Sequence, residues 1–527
     1  MGPLLFSLVL HKLIRTIIED TECSQLLLNL WYLDDGVLSG TKSVICRAVT
    51  LIQRLGPALG LYINPAKCEL FSRTVLSDFP QEMKVSQEPN FEVLGAPIGD
   101  PIFCANCLAQ RRAKAAKLLS HLVTVGSIDP QVALLLLRQC AGYCKLVHLA
   151  RSTPPSLISD GLALFDADVR RCFSECTGID TADAEWLQVQ LSLGRGGGLG
   201  LRSLALHSPA AYLASLSKVG SLIPSDEYAL ESFNIFNSIV PPVHAISGDL
   251  LLHSSCSQKD LSARLENHQF DQLLFQSSPA NRARLLSVSS RHAAAWLSVI
   301  PSVGLNLHLE PDEFQIALKW WLGMDTSLGS CCPYCPEHQL DHLGHHAVTC
   351  KGGGDVVLRH NSLRDAFSQF CHRACLGGQL EVGCGIGEDK RHSRPADILV
   401  QNWIIGKPAA FDLTVTSPLN LTILNEAGVA RGSAAMAAEV RKHGVNDGKC
   451  AELGWVSIPL AVETYGCWGT EAQSTISRLA SRLAIQLQCS KSKAITTIYQ
   501  RLNLTLVRAN ARALLSRSGF FRSEGGV

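Results

Sequence analysis

The 527-residue sequence lacks net charge, because 47 lysines and arginines offset 46 aspartates and glutamates to leave a formal charge of +1. This balance excludes a histone-like polycation, although it permits local basic surfaces. The sequence also lacks an uninterrupted apolar run of the roughly 18 residues that a membrane-spanning helix needs. We therefore expect no membrane association.

The first residues carry no cationic region and no small-residue cleavage site, which argues against a secretory signal peptide. A myristoylation signal is lacking too, because Phe6 stands where serine or threonine is required. The 20 cysteines are too sparse over this length for a secreted disulfide scaffold. We expect a reducing, intracellular compartment.

Apolar residues make up 46% of the chain, which excludes disorder over most of its length. At about 150 residues per domain, we expect three or four domains. The periodicity predicts a multidomain α+β protein that mixes helix and strand at first, then becomes mostly helical, and ends in an α/β pattern. The predicted segments are 1–104, 105–325, 326–354, 355–474 and 475–527.

Two adjacent aspartates, Asp34 and Asp35, follow the apolar run at 26–32. Neighbouring carboxylates that were buried together would repel each other unless a cation such as Mg²⁺ lay between them. Asp-Asp-Gly is also good chemistry for an exposed hairpin turn. These residues taken alone favour the turn.

The surrounding segments resemble the palm of a reverse transcriptase of the non-LTR (LINE-type) retrotransposon class. The matching segments are the YxDD box at 32–35, the end of the nucleotide-supporting segment at 2–7, the lysine-bearing segment at 60–69 and the primer-grip turn at 94–99. The resemblance implies that Asp34 and Asp35 are catalytic ligands of Mg²⁺ and that Lys67 lies near the triphosphate. It also implies a primer-grip turn that contains Leu94, Gly95 and Gly99.

The sequence departs from that class at its start, where the upstream palm strand with a further catalytic aspartate has no counterpart. A two-metal site needs carboxylates from both strands. We therefore expect that this polypeptide alone does not polymerise DNA. The same resemblance continues through 105–325 as a helical thumb and connection.

Two groups of basic residues are candidates for nucleic-acid binding, because lysine and arginine neutralise backbone phosphates. The first group, which could equally be a solvated helix face, is Arg111, Arg112, Lys114 and Lys117. The second group is Arg501, Arg508 and Arg512, whose spacings of seven and four place them on one helical face.

A Cys-x₂-Cys pair is followed by a histidine and a cysteine that complete a candidate tetrahedral zinc set. The four candidate ligands are Cys332, Cys335, His346 and Cys350. His345 competes for the third position, and Cys331 could replace Cys332. Clustered cysteines without metal are the alternative. In the resembled class, a knuckle of this type lies between the polymerase and a nuclease and has a structural role.

Two strand-like segments, 394–400 and 409–415, each carry one acid, and turn residues separate them. A turn near Ile404 and Ile405 would place Asp397 and Asp412 opposite one another, with Cβ atoms about 4.5–5.5 Å apart. Like charges there need a cation between them. The alternative is a buried ion pair beside an unrelated edge acid.

Residues 355–470 resemble the PD-(D/E)xK restriction-like nuclease that one branch of non-LTR elements carries. The resemblance implies that Asp397 and Asp412 are catalytic Mg²⁺ ligands. An extra residue precedes Asp397, and Thr414 stands where the lysine is usual, so Lys442 on the following helix is the candidate lysine. Glu381 is a further candidate acid of the site, and Glu463 is a weaker one.

We therefore expect a retrotransposon-derived protein with a partial RNA-directed DNA polymerase, a structural Zn²⁺ knuckle and an endonuclease that uses Mg²⁺ or Mn²⁺. Its expected partners are DNA and RNA, and its expected location is the nucleus. The alternative is a non-catalytic nucleic-acid-binding remnant of a retroelement. The sequence predicts no oligomeric state.

Overall fold

A computed structural model describes residues 2–72, 79, 82–219, 227–247, 256–326, 331–383, 394–404 and 406–517. These residues are mostly helical with small sheets, so the predicted α+β class is confirmed. The chain divides into two compact units. The N-terminal unit comprises 1–111 and 148–161, and the large unit comprises 112–147 and 162–527.

The N-terminal unit combines helices with short strand pairs. Its helices, three of which extend into the large unit, are Gly2–Glu19, Lys42–Leu55, Pro101–Gly126, Val147–Ser152 and Pro155–Thr177. Its strand pairs are Leu28–Tyr32 with Asp35–Ser39, Glu69–Phe71 with Lys84–Ser86, and Phe91–Val93 with Ala96–Ile98. Its small apolar core forms where Leu13 and Ile17 of the first helix pack near Ala48 and Leu51 of the second.

The large unit contains a run of helices, as the apolar spacing between 105 and 325 predicted, and the described residues of that range form no strand. Its other helices are Pro130–Leu136, Asp183–Gln190, Leu204–Leu216, Glu227–Ile239, Gln258–Gln276, Pro279–Val288, Pro311–Leu322, His345–Thr349, Asp355–Arg373, Leu424–Ala427, Ser433–Glu452, Thr470–Gln486 and Lys491–Leu515. Local capping explains several starts. The Ser278 hydroxyl, for example, accepts the Asn281 N–H, and Pro279 occupies the first helical position.

A four-stranded sheet, which we call the aspartate sheet, lies in the large unit. Its strands in spatial order are Val456–Glu463, Lys407–Thr416, Ala396–Ile404 and Gln379–Val382. The first two strands are parallel, and the remaining pairs are antiparallel. The predicted order of helix, strand, hairpin, helix and strand across 351–470 is thus confirmed. A further short hairpin pairs Cys331–Cys332 with Cys335–Gln339.

The predicted hairpin turn lies one position later than expected. Ile404 pairs with Lys407, so the chain reverses direction between these two residues. Ile405 itself lies outside the described residues. Gly406 has a φ of 75°, a backbone conformation that glycine adopts without the clash a Cβ would cause.

The predicted basic tail is part of the core of the large unit. The boundary expected at 474 falls inside the helix Thr470–Gln486. Leu479 of that helix and Leu502 of Lys491–Leu515 are fully buried, and they share one apolar cluster with Phe411 of the aspartate sheet. The high local count of basic residues suggested a separate segment. That count takes no account of the buried apolar positions that lie between the basic residues.

One helical stretch in the described part of the chain, Pro130–Ser152, has the length and composition of a membrane-crossing helix. About 39% of its apolar window is buried within the protein. Core helices of soluble proteins have the same length and composition, so this single stretch is weak evidence of a membrane span. The expectation of no membrane association stays a prediction.

Candidate functional site

The first aspartate pair lies at the tip of a two-residue hairpin. Tyr32 pairs with Asp35, so Leu33 and Asp34 form the turn, and Leu33 has a φ of 55°. Both aspartates are exposed. Among the described residues, none forms a hydrogen bond or an ion pair with the side chain of Asp34 or Asp35. The geometry matches the exposed-turn alternative.

The other polymerase-like residues belong to separate local structures of the N-terminal unit. Lys67 is exposed at the end of a short 3₁₀ turn. Leu94 and Gly95 form the turn of a hairpin with φ values of 50° and 74°, and the Leu94 carbonyl contacts His148 Nε2 at 3.0 Å. Gly99 packs so closely on Asn90 that a Cβ there would lie 2.1 Å from its Oδ1. No described hydrogen bond links Lys67 to the aspartates.

In the first basic group, the two arginines form ion pairs with acidic side chains, and the two lysines form none with any described residue. Arg111 binds Glu92 at 2.7 Å, and Arg112 binds Asp168 at 2.6 Å. Lys114 and Lys117 are exposed on the same helix. Within the described structure, only these two lysines of the group have side chains without an acidic partner, so they are the ones available to phosphates.

The Cys₃-His set converges as the sequence predicted. The ligand atoms of Cys332, Cys335, His346 and Cys350 all lie within 4.8 Å of one another. Cys335 Sγ lies 3.1 Å from His346 Nε2 and 3.4 Å from Cys350 Sγ. A strand hairpin supplies the first two cysteines, and the helix His345–Thr349 and the residue after it supply the other two ligands. This cluster could bind a metal ion such as zinc.

The two alternative ligands are not part of the set. His345 Nδ1 contacts Ser417 Oγ at 2.9 Å, directly after the aspartate-sheet strand Lys407–Thr416, so His345 is occupied elsewhere. Cys331 is exposed and pairs with Gln339 in the hairpin.

The thiols of the cluster differ in how readily they lose their protons. Burial raises the pKa of the Cys332 thiol, but backbone N–H groups and His346 outweigh it and lower that pKa to about 6. Burial and the neighbouring Cys350 raise the pKa of Cys335 to about 12. A bound metal ion would favour the thiolate form of each cysteine.

Asp397 and Asp412 face one another across the central hairpin of the aspartate sheet. Ile398 pairs with Phe411, and the next position in this register places Asp397 opposite Asp412. Asp397 Oδ2 accepts the Leu413 N–H at 2.6 Å. The predicted opposition is confirmed.

A third element, the helix Ser433–Glu452, which we call the lysine helix, brings two polar side chains to Asp412. Lys442 Nζ lies 2.9 Å from Asp412 Oδ1, and the buried Asn446 amide donates to Oδ2. Burial raises the pKa of Asp412, and Lys442 counteracts part of that rise. The lysine predicted from the resemblance therefore lies beside the second acid.

The helix Asp355–Arg373, which we call the histidine helix, contributes a residue that the sequence reasoning missed. His360 Nε2 lies 3.3 Å from Asp397 Oδ1, and this contact raises the pKa of His360. Glu381 joins them, and the three ligand atoms lie within 4.8 Å of one another. His360 precedes the buried Leu363 and Phe367 by three and seven positions, a spacing that could have indicated an inward-facing histidine.

Glu463 lies outside this group. It is 1% exposed and accepts hydrogen bonds from the N–H groups of Ala434 and Ala435 at the start of the lysine helix. Burial raises the pKa of Glu463 to about 7. A carboxylate at a helix N-terminus satisfies free N–H groups and the helix dipole, so Glu463 is a cap.

The arginines at 501, 508 and 512 do share one helical face, but that face contacts the protein itself. Arg508 is 9% exposed and donates to the carbonyls of Asn306 and His308. Arg501 donates to the Leu305 and Asn306 carbonyls, and Arg512 binds Glu313 at 2.6 Å. Each of the three arginines thus uses guanidinium donors within the fold, although the Arg512 side chain is still 63% exposed. Their assignment to nucleic-acid binding stays a prediction.

A scan against protein-family models finds no match to this chain, and a search of curated proteins finds none. The retrotransposon resemblance therefore rests on the motifs themselves.

Proposed function

We propose that the large unit cleaves nucleic-acid phosphodiesters as a metal-dependent endonuclease. The observation that carries the proposal is the convergence of Asp397, Asp412 and Lys442 from two paired strands and one helix. Two opposed carboxylates with a lysine beside them are the groups that hydrolysis of a phosphodiester requires.

The donor set suits a hard divalent cation, because carboxylate oxygens are the ligands that Mg²⁺ and Mn²⁺ prefer. Asp397 and Asp412 would hold the ion. A bound ion lowers the pKa of a water molecule and offsets the charge of the phosphate. Hydrolysis would join the oxygen of water to phosphorus and release the 3′-oxygen.

The protein's own groups prepare the two carboxylates. Lys442 favours the charged form of Asp412 against the cost of burial. In the proposed reaction its ammonium would stabilise the charge that develops on the phosphate. Asn446 fixes the second Asp412 oxygen, and the Leu413 N–H fixes one oxygen of Asp397. Such outer contacts orient metal ligands and limit the reorganisation that binding requires.

We propose further that the chain derives from a non-LTR retrotransposon, with a partial reverse-transcriptase palm, a helical thumb and connection, a zinc knuckle and a restriction-like nuclease. DNA and RNA are the proposed partners, and the nucleus is the proposed location. The exposed Lys114 and Lys117 support contact with phosphates. The knuckle would have a structural role beside the nuclease.

A supercoiled-plasmid nicking assay with Mg²⁺ or Mn²⁺ tests the endonuclease proposal. We expect nicking by the wild type and a loss of at least about 100-fold in Asp397→Ala and Asp412→Ala. Replacing a residue that only hydrogen-bonds to a metal ligand already costs up to about 100-fold in activity, so the loss of a ligand itself should cost at least as much. Lys442→Ala should lose on the order of 100-fold, the usual effect of removing one group that stabilises developing charge.

The matched control is Lys449→Ala, which removes an exposed lysine from the same helix. We expect it to nick like the wild type. Wild-type protein without metal-dependent nicking, or nicking that persists in both aspartate variants, would refute the proposal.

The second candidate function is a non-catalytic nucleic-acid-binding remnant. One observation favours it, because the acids of the site already have cationic partners within the protein: Asp412 has Lys442, and Glu381 has Arg364 and Arg394. Salt-sensitive DNA binding without nicking is the outcome that this function predicts.

A further inference from the structure

We propose that His360, Glu381 and Asp397 form a binding site for a divalent first-row transition-metal ion and prefer it to Mg²⁺. This inference deepens the proposed endonuclease function and rests on it for its effect on activity. The binding itself can be measured separately.

The distances suit three ligands of one ion. Two ligands at about 2.1 Å from a metal and at right angles are about 3 Å apart, from the usual metal–ligand lengths. His360 Nε2 and Asp397 Oδ1 are 3.3 Å apart. The Glu381 oxygen lies within 4.8 Å of both, so a small side-chain movement completes the set.

The backbone at Glu381 is unusual as well. Glu381 has a φ of 53°, in the left-handed region that a residue with a Cβ rarely adopts. Such conformations persist where the surrounding structure holds them in place. With this backbone, the Glu381 ligand oxygen lies within 4.8 Å of those of His360 and Asp397.

Arginine contacts orient Glu381 without using all of its acceptor capacity. Arg364, whose side chain is 13% exposed, holds one carboxylate oxygen, and Arg394 lies 3.3 Å from the other. An ionised carboxylate has about four acceptor positions, so an ion and an arginine can share it. Arg394 is 57% exposed and can leave at little cost, because exposed ion pairs contribute little.

The histidine decides the choice of metal. Mg²⁺ prefers oxygen ligands and retains its waters, whereas imidazole nitrogen suits transition-metal ions. Asp397 and Asp412 alone offer only oxygen. The addition of His360 nitrogen makes the neighbouring position more favourable for an ion such as Mn²⁺ than for Mg²⁺.

The test is a Mn²⁺ titration followed by electron paramagnetic resonance, with the full chain and the Cys₃-His cluster first filled with one equivalent of Zn²⁺. We expect His360→Ala and His360→Asn to weaken Mn²⁺ binding at least tenfold. Competition by Mg²⁺ should show that Mg²⁺ affinity changes less than twofold. The matched control, His372→Ala, changes an exposed histidine on the same helix and should bind Mn²⁺ like the wild type.

Unchanged Mn²⁺ binding in both His360 variants would overturn the proposed site, whatever the nicking assay shows. Mn²⁺ binding that depends on His360 without any nicking would overturn the endonuclease and leave the metal site intact. If both are correct, nicking is faster with Mn²⁺ than with Mg²⁺, and His360→Asn removes that difference. Circular dichroism of the two variants shows that a loss of binding does not come from unfolding.

Discussion

The two aspartate pairs of this chain differ in the burial of their carboxylates and in the hydrogen bonds that these carboxylates accept. Asp34 and Asp35 are adjacent in sequence and lie exposed at a hairpin tip. Asp397 and Asp412 are fifteen positions apart, yet a strand register brings them together, and a helix adds Lys442. The fold fixes the orientation of both carboxylates of the second pair, and burial raises the pKa of Asp412.

This difference shows that adjacency along the chain is a poor guide to a metal site. Two exposed carboxylates in a turn are each solvated by water and need no ion to lie near each other. The half-buried Asp397 and the buried Asp412 carry a desolvation cost that a cation would offset. The predictions below test whether the two pairs are as different as their surroundings indicate.

The largest expected effect comes from the Cys₃-His cluster, which lies in the same unit as the second pair. Its helix contacts Ser417, the residue after the strand that carries Asp412. Cys335→Ser should abolish the binding of one Zn²⁺ per chain, a binding free energy on the order of 10 kcal/mol in small zinc domains. Metal analysis and hydrogen exchange of both aspartate hairpins measure the effect.

We expect faster exchange around Asp412 and no change around Asp34. The control, Cys331→Ser, changes an exposed cysteine outside the set and should keep the metal. Retained zinc in Cys335→Ser, or equal disturbance of both hairpins, would remove the distinction between the two pairs.

The pH dependence of stability at Glu463 measures how strongly burial raises the pKa of an acid in the aspartate sheet. Its pKa in the folded protein is raised to about 7 from an ordinary value of 4.5, so the folded state retains a proton that the unfolded state has lost. Stability should therefore fall as pH rises from 4.5 to 7, by at most about 3 kcal/mol for the full pKa difference. Glu463→Gln should remove this fall, because the amide stays neutral.

Thermal unfolding at several pH values across this range measures the effect as the difference between wild type and variant. Glu426→Gln, a change at an exposed acid, is the control and should leave the pH dependence as it is. An unchanged slope in Glu463→Gln would mean that Glu463 is charged in the folded protein at neutral pH.

The smallest effect is expected at the first pair. Replacing Asp34 and Asp35 together by asparagine should change the free energy of unfolding by less than about 0.5 kcal/mol, as is usual for exposed positions. Calorimetric titration should detect no difference in Mg²⁺ binding between this double variant and the wild type. A clear loss of bound Mg²⁺ would show that the hairpin tip is a metal site after all.

Local patterns were sufficient to predict most of the second site. Cys-x₂-Cys spacing predicted the zinc-type cluster. The strand pattern predicted the opposition of Asp397 and Asp412, although the turn lies one position later than expected and an irregularity between Val400 and Ile404 restores the register. His360 and Asn446 were missed for a common reason. The sequence indicates which residues share one face of a helix, but it does not indicate which strand that face packs against. Tertiary packing alone brings the histidine helix to the end of the Asp397 strand.

The arginines at 501, 508 and 512 show what a spacing pattern leaves open. Their spacing correctly predicted one shared face, but spacing does not reveal whether a face meets water or protein. Here that face meets backbone carbonyls around Asn306 and the carboxylate of Glu313. The buried Arg508 guanidinium with such acceptors stabilises the fold, whereas the Arg512 side chain is 63% exposed.

The helix Lys491–Leu515 limits where the large unit can be shortened. Leu502 and Leu506 are fully buried against the aspartate sheet and its flanking helices, and Asn510 binds the Thr464 carbonyl and the Arg359 guanidinium. A version that ended before residue 491 would leave this apolar surface open to water and its buried polar groups unsatisfied. The helix Lys491–Leu515 is thus as necessary to the acidic site as the strands that carry it.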